Sequence, residues 1–413
     1  MAAERVALTN VDWPEAFPAV RLFRAVRLAL NFRALLLAAI ALAGMVAGWR
    51  ILGSLFAESN DGWLETRIAV DSAWPWELPL VHAPLEELEH TETWRRTSPI
   101  VVAWNEITRA FVQMFEVQDF TRLMYLLACA LWSLFIWSFF GGAITRQAAI
   151  ALARNENVSW VRLTGFARSR LGSYFVAPLF PLLGVALAAV FLMLLGLIMR
   201  SEVGVLVAGI VWPLVLLDGF IMAFLLLGLF FSWPLMWAAI STEGTDSFGA
   251  LSHSYSYAYQ RPLHYLFYVL VAALVGVLGW YIVSLFTFWI MGTISWAVGW
   301  GSGANRLDLV LRREELGILG NAGTALISFW NNVLRTLAFG FIFSYFWCAS
   351  TAIYFLLRRH VDATEFDEVF LPEERDLHGL PPLKTGPDGV PAVDEGPTAV
   401  NSGGADDAVR AEG

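Results

Sequence analysis

Residues 205–240 read VLVAGIVWPLVLLDGFIMAFLLLGLFFSWPLMWAAI, with Asp218 as the one ionisable side chain among them. A helix needs about 20 mostly apolar residues to cross a bilayer, because its backbone groups must be satisfied internally where water is absent. This run exceeds one crossing and falls short of two with a turn. It predicts one long helix that projects beyond the bilayer, with Pro213 and Pro234 as expected kinks.

Outward from it, runs of the same kind lie at about 34–56, 123–145, 174–198, 264–298 and 325–357. The whole chain of 413 residues is 57% apolar and 15% charged, outside the range of a soluble domain. The expected fold class is all-α, a polytopic membrane helix bundle with about six transmembrane helices and cytoplasmic amphipathic interfacial helices. The bundle is expected over 34–359, with an exterior segment at 57–122, an amphipathic arm at 1–33 and an acidic, disordered tail at 360–413.

The net charge of −9 belongs to that tail. From His360 onward thirteen Asp/Glu face three basic residues, a balance of −10, so residues 1–359 carry +1. Arginines flank the spans at 21, 24, 27 and 33, at 146–170, and at 358–359. Six spans put all of these on one side, which the positive-inside rule makes cytoplasmic, with both termini there. The segment 57–122 holds twelve acids against five arginines and falls on the opposite side. The expected location is a bacterial inner membrane; arginine supplies 26 of 27 basic residues, a sign of GC-rich codon usage. No cleavable leader is expected, because the first long apolar run starts only at Ala34.

Outside the spans, FPAVRLFRAVRLALNFR (17–33) spaces Arg21, Arg24 and Arg27 as a basic amphipathic helix suited to an anionic leaflet. Residues 155–175 repeat that idea. From Ser98-Pro99 onward, Trp104, Ile107, Phe111 and Phe115 recur at helical spacing, predicting a helix over the exterior mouth of the bundle. Phe366, Val369, Phe370 and Leu371 stand among acids as a docking motif or a membrane-proximal turn, and no fold is expected past Gly379.

The chain carries no phosphate-binding loop, dinucleotide fingerprint, zinc-protease motif or nucleophile elbow. Neither a cofactor nor a metal is expected, although His82, Glu86 and His90 are spaced as conceivable ligands. Charge inside a span marks a functional candidate. Asp218 with Arg335, Asn331 and Asn332 form the candidate intramembrane polar site, as a helix-to-helix contact or a point on a substrate path. Cys129 and Cys348 lie in apolar runs and behave as small hydrophobes.

A second candidate is EGTDSFGALSHSYSYAYQRP, residues 243–262. Glu243 and Gly244 make a turn, Asp246 caps a helix, and Phe248, Leu251, Tyr255 and Ala258 form one face of it. Ser252, His253, Ser256 and Gln260 take the other face, and Arg261 and Pro262 begin the next span. This reads as an interfacial elbow, with a weaker twin at 155–175; Glu243, His253 and His264 are the residues a catalytic reading would need. The stretch resembles the acidic-Gly turn of several bacterial multi-pass families, among them the membrane domain attached to some glycerophosphodiester phosphodiesterases and Yip-like bundles. The likeness covers about Gly141 to Val271, without the soluble phosphodiesterase domain. It implies a scaffold or membrane-organising bundle.

The leading expectation is therefore a non-enzymatic scaffold, assembly or lipid-organising protein. A transporter or channel using Asp218 and Arg335, and a membrane-embedded lipid enzyme, stand as alternatives. Membrane lipids are the expected partners, with a protein partner for the acidic tail and no nucleic acid.

Overall fold

The computed structural model describes residues 17–56, 61–77, 98–312, 317–371, 383–385 and 391–393. Six helical segments are long and apolar enough to cross a membrane, which makes this an all-α, multi-pass membrane protein. In chain order the helices are α1 (Leu22–Ala29), α2 (Phe32–Phe56), α3 (Gly62–Asp71), α4 (Pro99–Gln113) and α5 (Phe120–Arg154). Then come α6 (Trp160–Ser169), α7 (Leu171–Val176), α8 (Leu179–Ile198), α9 (Glu202–Glu243) and α10 (Ser247–Gln260). The last are α11 (Pro262–Ser302), α12 (Ala304–Arg312) and α13 (Ile318–Asp362). The crossing segments are α2, α5, α7 with α8, α9, α11 and α13.

Local chemistry sets the ends. Asp119 caps α5 by accepting from the Arg122 N–H at 2.9 Å, and Ser201 caps α9 by accepting from the Gly204 N–H at 3.0 Å. Pro262 opens α11 at a position whose N–H has no helical acceptor. Three spans end in a left-handed residue, Asn155 after α5, Gly244 after α9 and Ala363 after α13.

The packing hub is α13. From Ala338 to Arg358 its side chains are almost all buried, against α2, α4, α5, α9 and α11. Gly340 brings α2 close, since a Cβ there would stand 3.0 Å from the Leu35 carbonyl oxygen. Where α5, α9 and α13 meet, Trp237 stacks on Trp347 at 4.3 Å and Trp137 on Phe343 at 4.9 Å. Gly141 makes room for them: a Cβ there would meet Trp237 at 2.7 Å and Trp347 at 2.8 Å.

The long helices have two parts. The last third of α9, from Ser232, is buried, whereas residues 202–231 leave most of their large apolar side chains bare, as does α8. The same division runs through α13, whose start exposes Ile318, Leu319, Phe329 and Trp330. Bare apolar helix surface belongs in hydrocarbon, where lipid tails replace protein neighbours. Long helices that outrun one crossing were legible in the run at 205–240.

Three expectations are corrected. The helix after Ser98 does not lie over the mouth of the bundle but is part of its wall. Its Val102, Ala103, Ile107 and Ala110 are buried against α5 and α13, and Trp104 rests on Phe230 of α9 at 4.5 Å. The bundle does not stop at residue 359: α13 continues to Asp362, and Phe366 stacks on Phe355 at 6.1 Å. Phe366 also lies under the guanidinium groups of Arg21 and Arg359, at 3.6 and 5.2 Å; of the two readings of this stretch, docking motif or turn, residues 366–367 form a turn whose aromatic packs on its own chain. Residues past Gly379 are not wholly without structure, since in the unit Phe370–Gly413 strands β1 (Leu383–Thr385) and β2 (Pro391–Val393) pair antiparallel. Residues 82, 86 and 90 lie outside the described residues.

Candidate functional site

The flanking arginines do converge. Arg24 donates to the Ala151 carbonyl at 3.3 Å and the Asn155 side chain at 3.4 Å, and Arg33 to the Val158 carbonyl. Arg358 donates to the Glu368 carbonyl at 2.8 Å. With Arg21 and Arg359 both over the Phe366 ring, the N-terminal arm, the α5–α6 turn and the end of α13 come together in one arginine-rich region.

The interfacial elbow is built beside it. The Gly244 N–H donates to Ile240 O at 3.0 Å with φ at 63°, and Asp246 accepts from the Gly249 N–H at 2.8 Å. α10 folds back on α9, where Gly228 leaves a hollow for the Tyr255 ring. Tyr255 donates to the Leu225 carbonyl and Tyr259 to the Phe224 carbonyl, each at 2.8 Å. Burial pushes the Tyr255 and Tyr259 phenols above their ordinary value of 10.0.

The face of α10 is rotated from the expected one. Ala250, Ser254, Tyr257 and Ala258 are buried, while Phe248 is 65% exposed and Leu251 half-buried. Small Ala250 and Ser254 allow close helix approach, and Tyr257 reaches across to donate to Asp362. Burial raises the Tyr257 phenol, and its bond to Asp362 adds to the shift. Arg261 and Pro262 are exposed at the start of α11.

That rotation turns His253 toward Glu243. His253 Nδ1 lies 2.7 Å from Glu243 Oε2, close enough for an ion pair when protonated but out of line for a hydrogen bond. Tyr354 donates to the other carboxylate oxygen at 2.5 Å, and Arg358 stands 4.0 Å from it. Rings of Tyr257 and Tyr354 pack at 5.4 Å. His264 is not brought to Glu243 by any described contact; it packs on His360 at 5.2 Å, and His360 shares a 2.7 Å hydrogen bond with Tyr268. The ends of α9, α10 and α13 are thereby tied through one carboxylate. Tyr354 and Asp362 escaped the sequence reading as site residues, and Arg358 was read only as a flanking charge, although the three recur every fourth residue along α13.

The intramembrane candidates are not assembled. Asp218 and Arg335 form no ion pair with each other. Asp218 is half-buried with Oδ2 enclosed and unpartnered. Asn331 and Asn332 are half-buried on the first part of α13, where the Asn332 carbonyl accepts from Thr336 at 2.7 Å. The buried polar network lies elsewhere: Arg146, 3% exposed, donates to the Ser241 carbonyl at 2.6 Å, and Ser241 Oγ meets Thr145 at 2.6 Å and Tyr174 at 2.7 Å.

A cluster of three or more His, Cys, Asp or Glu fit for a metal is absent among the described residues. Comparison with protein-family models, with curated proteins and with solved structures finds no match for this chain.

Proposed function

We propose that this chain is a lipid-organising scaffold of a bacterial inner membrane, with both termini in the cytoplasm. One observation carries it: the α8–α9 pair stands bare of protein on most of its apolar surface, with Leu187, Met193, Val203, Leu206, Ile210 and Phe220 all exposed. A helix pair so uncovered is free to recruit lipid or other membrane helices. The polar groups of the elbow support the same reading, because Glu243 is engaged by neighbouring helices. The likeness of residues 243–262 to membrane-organising bundles agrees with it.

Reconstitution into vesicles tests this. The expected result is slowed lipid exchange around the protein, with no solute flux and no lipid turnover. Flux lost in Asp218→Asn would favour the transporter reading instead. The lipid-enzyme reading rests on the close approach of His253 to Glu243, and turnover abolished by Glu243→Ala or His253→Ala would overturn the scaffold.

A further inference from the structure

α9 and α11 make only sparse direct contact, bridged where Tyr265 donates to the Phe231 carbonyl at 2.6 Å. The space between them, closed behind by α4 and α13, is a cleft of about 280 Å³. Its walls are chiefly Trp104, Phe230, Pro234, Tyr265, Val269 and Ile353. We propose that this cleft seats one acyl chain of a glycerophospholipid, a binding site that goes beyond the scaffold reading and rests only on the membrane-spanning character of the chain.

The chemistry of the walls selects the occupant. The Tyr265 hydroxyl is spent on Phe231, and the other wall hydroxyl, Ser350, donates to the Phe346 carbonyl at 2.8 Å. Apart from the exposed Asn105 carboxamide, the cleft offers an ion or a sugar no free polar side chain, and it offers an alkyl chain a lining of rings and branched side chains. Its mouth is continuous with bare apolar surface: Phe230 is 50% and Leu266 47% exposed, and Leu263, Phe267 and Leu270 beside them are bare. What surrounds such a mouth in a membrane is lipid.

The mouth also has a defined depth. Tyr265, Leu266 and Val269 occupy the first turns of α11, just inside Arg261. Arg261 is exposed and in no described ion pair, so a phosphate at the helix start finds a cation while its chain turns inward. Lipid tails gain no hydrophobic free energy on moving from bilayer to protein, so residence depends on van der Waals fit and the phosphate contact.

The test is photolabelling of the full chain in phosphatidylglycerol–phosphatidylcholine vesicles, using a phospholipid with a diazirine in its acyl chain. Adducts are expected to concentrate on peptides carrying 100–105, 230–235 and 265–269. Val269→Trp, which fills the cleft, is expected to cut that labelling about fivefold, and Arg261→Gln to cut it less. Leu278→Trp, on exposed α11 surface away from the cleft, leaves it unchanged. If Val269→Trp does not fold, Leu266→Trp closes the mouth from its exposed rim and is held to the same result. Labels spread evenly over α8, α9 and α11, indifferent to these substitutions, would mean annular lipid only and overturn the site. Competition by free fatty acid but not by unlabelled phospholipid would overturn the phospholipid assignment. None of these outcomes depends on whether the protein organises lipid or turns it over.

Discussion

Asp71 shows what a single carboxylate does in this chain. It is 4% exposed at the end of α3 and receives Arg109 at 2.7 Å, Arg67 at 2.9 Å and the Tyr125 hydroxyl at 3.1 Å. Arg109 in turn lies 4.9 Å from the Trp49 ring. Removing the acid strands Arg67 and leaves Arg109 only its 3.2 Å ion pair with Glu106, so Asp71→Ala is expected to cost about 2 kcal/mol, below the usual figure for a buried pair because both arginines keep some solvent. Thermal unfolding in detergent reads this, and Glu65→Ala, exposed on the same helix, should leave the midpoint in place. Asp61 makes the matching prediction in pH. Arg122 donates to it twice, at 2.7 and 3.0 Å, and holds its carboxyl below the ordinary value of 3.8. A depressed acid stabilises the fold above its unfolded value and loses that contribution as pH falls through its lower folded value. An acid titration of stability should therefore show a phase below about pH 4 that Asp61→Asn removes.

At the scale of the element, close helix approach depends on particular glycines. On α5, Gly141→Ala places a methyl against Trp237 and Trp347, and overpacking of this kind costs about 1–3 kcal/mol. On α6, a Cβ at Gly165 meets nothing within 4 Å, so Gly165→Ala should gain up to about 1 kcal/mol from helix propensity alone. Opposite signs in paired denaturation curves would establish that the tryptophan cluster, and not glycine as such, governs α5. The elements themselves were legible because a membrane helix announces itself by the length of its apolar run. The face of α10 was not legible, because 243–262 carries aromatic or small residues on every side and its neighbours decide which of them are covered. Phe248 was put on one face with Ala258 and is bare where Ala258 is buried; Tyr257 was passed over and is buried. The Glu243 cluster was hidden for a related reason. Arg358 counted only as a charge beside a span, so its four-residue spacing from Tyr354 and Asp362 went unread.

For the whole molecule, the orientation argument acquires a geometric partner. The sequence placed the flanking arginines on one side by counting spans, and contacts now join residues far apart in the chain across that side: Arg24 with Asn155, Arg33 with Val158, Arg21 with Phe366. The described arginines of 57–122 behave differently. Arg67 and Arg109 share Asp71, Arg109 also meets Glu106, and Arg122 pairs with Asp61, so these arginines are held in local ion pairs. Single-cysteine labelling tests this arrangement without removing the native thiols, since Cys129 and Cys348 are both buried. A membrane-impermeant maleimide is expected to reach Ala69→Cys in intact spheroplasts. It should reach Val161→Cys, at a position 80% exposed on α6, only after the membrane is opened. Reaction of both from the same side would break the span count on which the orientation rests. Reaction of Val161→Cys alone from outside would keep six spans and invert the molecule, putting the arginine-rich region against the wrong leaflet.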